Sequence, residues 1–280
     1  ALRLQQAGYG IENAPRARYW PASLHLVGKE IIRFHSVYWP AFLMAAGMAL
    51  PERVFSHGWW TVEGEKMSKS TGNFIDVRPL VDEFGLDPVR FFLLREVPFG
   101  NDGDFSRRAL IARINAELAN GIGNLAQRTL SFIAKNAGGV VPPRGTLQEA
   151  DLVLLAAAAD LPEKVRGALT KLAFHEALEE VFKVIRAADA YIDHQAPWAL
   201  RKTGDVTRMN SVLYVLASVL RVIGVLLQPF MPDSMGKLLD QLGVATQARQ
   251  VVALDAPLAE GTVLPVPMGI FPRFVEAEAK

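Results

Sequence analysis

Residues 24–58 read LHLVGKEIIRFHSVYWPAFLMAAGMALPERVFSHG, and their pattern predicts the fold of the first third of the chain. Residues 24–27 form a short apolar run that ends at Gly28, and residues 53–58 form a second run after a turn at Leu50 and Pro51. Between these runs, residues 30–47 place apolar side chains at helical spacing. A strand, a helix and a strand joined by short loops form a βαβ unit, which implies a parallel sheet.

Outward from this unit, the pattern changes near residue 105. Residues 98–104 are rich in Gly and Asp and are predicted to be a linker. Beyond them, apolar residues recur at steps of three and four, which predicts helices over residues 107–136, 147–166, 172–192, 206–227 and 232–242. We therefore predict two domains, residues 1–105 and 106–280. The fold class is a remnant of a parallel α/β sheet followed by an all-α helical bundle.

Composition excludes several classes of protein. The chain has 280 residues, a net charge of +1 and no cysteine, so it has no disulfides and no thiolate metal site. The first residues carry no signal-peptide pattern, and the chain resembles a piece cut from a larger protein. Residues 212–227 are almost entirely apolar, but Arg221 interrupts them and Pro229 closes them. We expect a buried bundle helix there, no membrane partner and a cytoplasmic location.

The segment with the clearest chemistry is residues 64–73, GEKMSKSTGN. Lys66 and Lys69 lie three residues apart, with hydroxyls at Ser68 and Ser70, between two glycines that allow the loop to move. A compact cationic loop suits a triphosphate, because ammonium and N–H donors stabilise the charge that grows on phosphate oxygens. Two lysines in a loop are otherwise typical of a solvated surface.

The string KMSKS at residues 66–70 resembles the second signature motif of the class I aminoacyl-tRNA synthetases. The flanking strings HGWWTVEGEKMSKSTGN, FGLDPVRFFLLREVPFGNDGDFS, HLVGKEIIRFHSVYWPAFLMAAG and FPRF resemble the bacterial methionyl-tRNA synthetase family, from about Tyr19 to Phe274. The resemblance implies a Rossmann-type catalytic sheet and a helical anticodon-binding domain. It implies methionine, ATP with Mg²⁺, and a tRNA with a CAU anticodon as substrates and partners.

The resemblance also assigns the loop residues. Lys69 is similar to the catalytic lysine of the family, with Lys66 as its partner, and Lys66, Ser68, Lys69 and Ser70 are expected to bind ATP. The first signature of the family, a HIGH-type histidine motif, is absent from the 280 residues, as is the zinc-knuckle insertion. We therefore expect the chain to need a missing N-terminal half and to be inactive alone.

The resemblance implies a methionine pocket on the helix after the first strand, formed by Ile31, Phe34 and His35. An apolar wall with an aromatic edge suits a thioether. A histidine on such a helix face is also compatible with a purely structural role. Glu30 stands where the family usually has Asp, which leaves a substrate-positioning role at residue 30 undefined.

The helical part carries a second group of polar and aromatic residues. Asn124 and Arg128 are four residues apart on one predicted helix and project together. Trp198 follows Pro197, which is expected to keep the chain extended just after a helix end. Such residues can read and stack unpaired bases, although a polar helix face and a core tryptophan are the alternatives. In the resembled family, Asn-Leu-x-x-Arg and Pro-Trp bind the anticodon.

Several acidic residues in and before the linker are candidate metal ligands: Asp76, Asp82, Asp87, Asp102 and Asp104. No histidine shares a ligand spacing with them, so we expect solvated turn residues and helix caps, and no metal bound by the chain. Two other functions stay open beside the methionine ligase. One is a non-catalytic tRNA-binding module, and the other is a class I synthetase for leucine, isoleucine, valine or cysteine.

Overall fold

The computed structural model describes residues 2–62, 64–67 and 72–275, which divide into two compact units. The first unit consists of residues 1–75 and 97–105, and the second of residues 76–96 and 106–280. The predicted boundary at residue 105 therefore misplaces residues 76–96. Two helices fill that segment; they pack on each other, and the second of them packs on other helices of the second unit.

The first unit is built on the predicted βαβ unit, which the structure confirms. After α1 (Leu2–Gln6), strand β1 (His25–Gly28) pairs in parallel with β2 (Val54–His57), with His25 opposite Val54. The connection is a 3₁₀ turn (Lys29–Ile31), a π-helical turn (Phe34–Tyr38) and α2 (Trp39–Ala45). The helical connection was predicted, but its π-helical turn was not.

A second sheet follows in the same unit. Strand β3 (Trp60–Val62) pairs antiparallel with β4 (Glu65–Lys66), and β5 (Gly103–Phe105) pairs in parallel with the other edge of β3. The linker predicted over residues 98–104 is therefore wrong at its end, because β5 belongs to the sheet. Gly58 is required beside it, since a Cβ there would lie 2.2 Å from the carbonyl oxygen of Asn101.

The second unit begins with α3 (Val77–Phe84) and α4 (Leu86–Arg95). Asp76 caps α3 by accepting a hydrogen bond from the backbone N–H of Arg78. Asp87, predicted to be a solvated turn or cap residue, is buried, and its Oδ2 accepts from the backbone N–H of Ser234 at 2.6 Å. Ser234 lies in the first turn of the helix that begins at Pro232. A carboxylate is favourable there because the first N–H groups of a helix have no helical partner.

The long helix predicted over residues 107–136 is interrupted. It runs as α5 (Arg107–Arg113), a π-helical segment (Ile114–Gly123) and α6 (Asn124–Asn136). Gly121 has non-helical torsion angles, φ −88° and ψ −108°. A Cβ on Gly123 would lie 2.8 Å from the carbonyl oxygen of Leu118, so glycine permits the tighter backbone approach. Single π-helical segments are frequent near functional sites.

The remaining helices form the bundle around one central helix. They are α7 (Glu149–Ala159), α8 (Leu161–Thr170), α9 (Phe174–Gln195), α10 (Pro197–Thr203), α11 (Val206–Leu227) and α12 (Pro232–Gln241). The single helix predicted over residues 147–166 is two helices, because Pro162 lies in the first turn of a new helix, α8, and does not extend α7. Helix α11 packs against α6, α7, α9, α10 and α12.

Helix α11 is apolar over most of its surface, and most of that surface is covered by neighbouring elements. Among the described residues it is the helix long and apolar enough to cross a membrane, and 83% of its most apolar window is buried inside the protein. This burial agrees with the prediction of a core helix. The chain then returns along the bundle, where Asn115 exchanges two hydrogen bonds of 2.8 Å with the backbone of Phe274.

Candidate functional sites

The first candidate site lies at the hairpin that leads into residues 66–70. Ser68, Lys69, Ser70 and Thr71 lie outside the described residues, and only the backbone of Lys66 is described, opposite Thr61 in the sheet. The ATP-binding and catalytic roles predicted for Lys66, Ser68, Lys69 and Ser70 stay predictions.

Asp104 holds the turn of this hairpin against strand β5. Its Oδ1 accepts a hydrogen bond of 2.6 Å from the Thr61 hydroxyl and one of 2.8 Å from the backbone N–H of Gly64. These two donors, the hydroxyl first, lower the pKa of Asp104 below its ordinary value. Gly64 has φ +82°, a left-handed conformation that favours glycine. The hairpin that leads into the loop is therefore held to strand β5, which the sequence alone did not indicate.

Asp102 organises the neighbouring surface. It forms an ion pair with Lys29 at 2.6 Å and accepts from the backbone N–H of Trp59 at 2.8 Å, and both contacts lower its pKa, the lysine first. The Lys29 ammonium lies 4.1 Å from the centroid of the Trp59 ring, a cation–π contact. The indole N–H of Trp59 in turn donates to Glu30 at 2.8 Å. Asp102 and Asp104 are exposed, as predicted, but each also accepts hydrogen bonds that hold neighbouring segments together.

This arrangement gives Glu30 a partner. The hydrogen bond from Trp59 is the main reason why the pKa of Glu30 is lowered. Glu30 thus connects the first helical turn after β1 to the start of β3. Of the described residues, no three His, Asp or Glu side chains are grouped so that they could hold a metal ion.

The residues predicted to line the methionine pocket are near one another in the helical connection after β1. His35 Nδ1 lies 3.0 Å from the carbonyl oxygen of Ile31, and the His35 ring packs edge-on against His25 at 5.8 Å between centroids. Phe34 is 57% exposed and packs edge-on against Tyr38. The apolar face of this helix is therefore exposed rather than in a core, and the pocket role of Ile31, Phe34 and His35 stays a prediction.

The second candidate site lies wholly in the helical unit, and the structure brings two of its three predicted residues into contact. The Arg128 guanidinium lies over the Trp198 ring, 5.5 Å from the ring centroid. Trp198 is 45% exposed. Asn124 is exposed at the start of α6, one turn before Arg128. An aromatic face, a guanidinium and an amide thus share one exposed region.

The backbone around Trp198 differs from the prediction. Pro197 does not hold an extended chain but begins α10, where its fixed φ and missing N–H are tolerated. Ala196 turns the chain between α9 and α10 with a left-handed φ of +42°. Phe132, one turn after Arg128 on α6, lines a cavity of 170 Å³ together with Arg128 and Trp198.

Two acidic residues of α9 lie beside Arg128 in this site, and neither is among the site residues predicted from the sequence. Asp193 forms an ion pair with Arg128. Asp189 is half-buried, with one carboxylate oxygen lacking a described partner, and burial raises its pKa to about 6. The positive charge of Arg128 opposes this rise, and the negative charge of Asp193 adds to it. Their spacing of four on one helix face was the signal available in the sequence.

Comparison with known families agrees with both parts of the fold. A family described as tRNA synthetases class I (M) matches residues 10–130. A family described as the anticodon binding domain of methionyl tRNA ligase matches residues 141–280. By these two matches the chain belongs to the class I aminoacyl-tRNA synthetases.

Individual relatives indicate which family within this class the chain resembles. The methionine–tRNA ligase of Mesorhizobium japonicum is 53% identical over 272 residues, 96% of this chain and 52% of its own length. That of Mycobacterium leprae is 52% identical over 264 residues, 93% of this chain and 49% of its own length. The chain belongs to the methionyl-tRNA synthetase family, and it spans about half the length of the curated relatives it matches.

Solved structures show the same likeness. The apo form of Mycobacterium tuberculosis methionyl-tRNA synthetase superposes with a TM-score of 0.91 at 47% identity, covering 98% of this chain and 54% of that one. The same enzyme in complex with methionyl-adenylate gives a TM-score of 0.92 at 50% identity, covering 96% of this chain and 54% of that one.

Proposed function

We propose that this chain is the part of a methionine–tRNA ligase that carries the KMSKS loop and reads the anticodon. Residues 1–105 would supply the end of the catalytic domain, and residues 106–280 the anticodon-binding domain. The observation that carries the proposal is the contact between Arg128 and Trp198 on an exposed surface, with Asn124 one turn away.

The chemistry of these three residues suits an unpaired RNA loop. Trp198 offers an exposed ring on which a base can stack. Arg128 and Asn124 can donate to base edges, which are accessible only where RNA is single-stranded. We infer that the partner is a tRNA with a CAU anticodon, as in the family the chain resembles. Arg128 is already oriented by Trp198 and Asp193, so less side-chain freedom is lost on binding.

The first unit would contribute to methionine activation. Lys69 and Lys66 would stabilise the leaving pyrophosphate, with Ser68 and Ser70 binding ATP, which enters as a substrate with Mg²⁺. The bond from Gly64 to Asp104 supports this role, because a loop that closes over a triphosphate needs a fixed base. Ile31, Phe34 and His35 would contact methionine, and their exposed face would be covered by the remainder of the enzyme. We place this reaction in the cytoplasm, as part of protein synthesis.

A binding titration tests the proposal. A fluorescently labelled CAU anticodon stem-loop is titrated with the 280-residue chain at fixed salt, beside a stem-loop with a changed anticodon. Tighter binding of the CAU loop is expected. Equal binding of both loops would contradict anticodon reading. A second assay measures methionine-dependent ATP–pyrophosphate exchange in the complete protein that contains this chain. If the chain binds the CAU loop specifically but the complete protein shows no exchange, the chain is a non-catalytic tRNA-binding module instead.

A further inference from the structure

A large cavity lies in the helical unit, lined by residues that take no part in the sites described above. The end of α7, the start of α8, one face of α11 and the segment 251–258 enclose about 790 Å³. Neither Arg128 nor Trp198 lines it. Its walls are mainly apolar: Leu155, Ala158, Pro162, Val222, Leu254 and Leu258. Its volume is in the range of sites that hold small organic ligands.

One buried cation lies in the wall of this cavity. Arg221, midway along α11, is only 7% exposed. Its Nη2 donates to the carbonyl oxygens of Ala253 and Ala256, at 2.7 and 2.8 Å, and so holds the segment 251–258 in place. No carboxylate is described in an ion pair with Arg221, and burial lowers the pKa of its guanidinium. A buried charge without a counter-ion is costly, and an anion would offset that cost.

Arg221 has unused hydrogen-bonding capacity. A guanidinium carries five N–H donors, and the two described bonds both use Nη2. Nε and Nη1 have no described partner. Ser218, one turn earlier on the same face of α11, has a buried hydroxyl that also lacks a described partner and lines the same cavity. Two polar groups with unused hydrogen-bonding capacity, Arg221 and Ser218, therefore lie one turn apart in a mainly apolar wall.

The other charged residues around the cavity leave a positive balance. Arg166 is paired with Glu163. That pair set aside, the charged lining residues are Arg144 and Arg221 against Asp255. Arg144 is exposed and has no described partner, so it is available to attract an anion towards the cavity. The cavity thus combines an apolar body with a cationic end.

We propose that this cavity binds a small amphiphilic anion, whose head group bonds to Arg221 and Ser218 and whose apolar part lies against α7 and α8. A carboxylate and a phosphate head share the required chemistry, since both accept hydrogen bonds from a guanidinium in pairs. The site is separate from the proposed anticodon surface and does not depend on it. A purely structural Arg221, which only holds segment 251–258, is the competing explanation.

The test follows the Arg221 side chain itself. The 280-residue chain labelled with ¹⁵N-arginine is titrated with octanoate, octyl phosphate and the neutral octanamide, and the Nε–H signal absent from Arg221→Gln is monitored. A saturable shift with one or both anions is expected, with octanamide at least about tenfold weaker. The two head groups distinguish a carboxylate ligand from a phosphate ligand. Monitoring Arg221 excludes binding of the apolar tails to exposed surfaces elsewhere.

A pair of variants localises the binding without altering Arg221. Ala159 lines the cavity from an exposed position, so Ala159→Trp should obstruct it and weaken octanoate or octyl phosphate by at least about tenfold. Ala156→Trp, on the same helix but outside the cavity, should leave the affinity unchanged. The proposal is overturned if no saturable shift occurs, if octanamide binds as tightly as the anions, or if both tryptophan variants act alike.

Discussion

The Arg128 guanidinium lies over the face of Trp198, 5.5 Å from the ring centroid, although 70 residues separate them along the chain (198 − 128). Arg128 projects from α6 and Trp198 from α10, and Asp193 at the end of α9 pairs with the same guanidinium. At an exposed position such a cation–π contact contributes about 0.5–1 kcal/mol. Its larger effect is to hold a planar donor group and an aromatic face in one fixed arrangement.

Replacing Trp198 should weaken binding to an anticodon stem-loop. Trp198→Ala is expected to cost about 1–3 kcal/mol of binding free energy, the contribution of one stacked base. Trp198→Phe retains an aromatic face and should lose less. The measurement is the stem-loop titration with circular dichroism as the folding control. If Trp198→Ala unfolds the helical unit, the tryptophan is a core residue despite its 45% exposure.

Replacing Arg128 should change specificity as well as affinity. Arg128→Ala is expected to reduce the preference for CAU over a changed anticodon, because base contacts carry sequence information and phosphate contacts do not. The exposed Arg201 on α10 offers a matched control: Arg201→Ala removes the same charge and should weaken all loops equally, if at all. If Arg128→Ala also weakens all loops equally, Arg128 contacts only phosphate.

Much of the fold could be predicted from local pattern. The βαβ unit followed from residues 24–58, and helices α9, α11 and α12 from long apolar periodicity. Some failures have a local cause, such as the new helix at Pro162, and others are cases in which a distant contact decides. Residues 103–105 look like a polar linker but form β5, because β3 offers them an edge. The π-helical segment before α6 has the same apolar pattern as an α-helix. Only the glycines at positions 121 and 123 indicated that the helix could be interrupted there.

The site residues show the same limit. Asn124, Arg128 and Trp198 were predicted from their resemblance to a family, but Asp193 and Asp189 were not. Their spacing of four places them on one face of α9, but their role depends on α6 lying beside that face, which the spacing does not reveal. Asp102 and Asp104 are exposed, as predicted, but their hydrogen-bond partners could not be predicted for the same reason. Each accepts hydrogen bonds from residues about 40 positions or more away, at Trp59, Thr61 and Gly64.

The catalytic role of Lys69 can be tested in a complete enzyme that contains this chain. Lys69→Ala should slow methionyl-adenylate formation by about 10²–10³-fold, because the loop is proposed to meet charge that develops in the transition state. The dissociation constant for methionine should change little. Rapid-quench kinetics measures the first quantity and equilibrium binding the second. Lys237→Ala, an exposed lysine on α12, should affect neither. A normal rate with weakened methionine binding would refute the assignment.

The helical unit should depend strongly on Asp151. This carboxylate is completely buried and accepts hydrogen bonds from Arg208, the Tyr191 hydroxyl and the backbone N–H of Gln148. Asp151→Ala should lower the free energy of unfolding by about 3–5 kcal/mol, because it leaves a buried arginine without its counter-ion. Asp160→Ala, which removes an exposed carboxylate, should cost at most about 1 kcal/mol. Urea unfolding of both variants measures the difference.

The contribution of Asp151 should also depend on pH. Burial acts to raise the pKa of Asp151, but the hydrogen bonds from Arg208, Tyr191 and Gln148 outweigh it and lower the pKa. A carboxyl group with a lowered folded-state pKa stabilises the protein above its unfolded pKa of about 3.9. The difference between wild type and Asp151→Ala should therefore be constant near neutrality and shrink in acid. A difference that grows as the pH falls below 4 would contradict this account.

Asp189 should behave in the opposite way. Burial raises its folded-state pKa to about 6, so the folded protein binds a proton more readily than the unfolded chain. The free energy of unfolding therefore falls as the pH rises from about 4 to about 6, and at pH 7 the ionised carboxylate destabilises the fold. Asp189→Asn removes this charge without changing the shape, so it should stabilise the protein at pH 7 and progressively less as the pH falls to 4. Urea unfolding across this range measures the effect, with the exposed Asp160→Asn as a control that should show no such trend. If Asp189→Asn destabilises the protein at pH 7, the ionised carboxylate has a favourable role beside Arg128 that outweighs its burial.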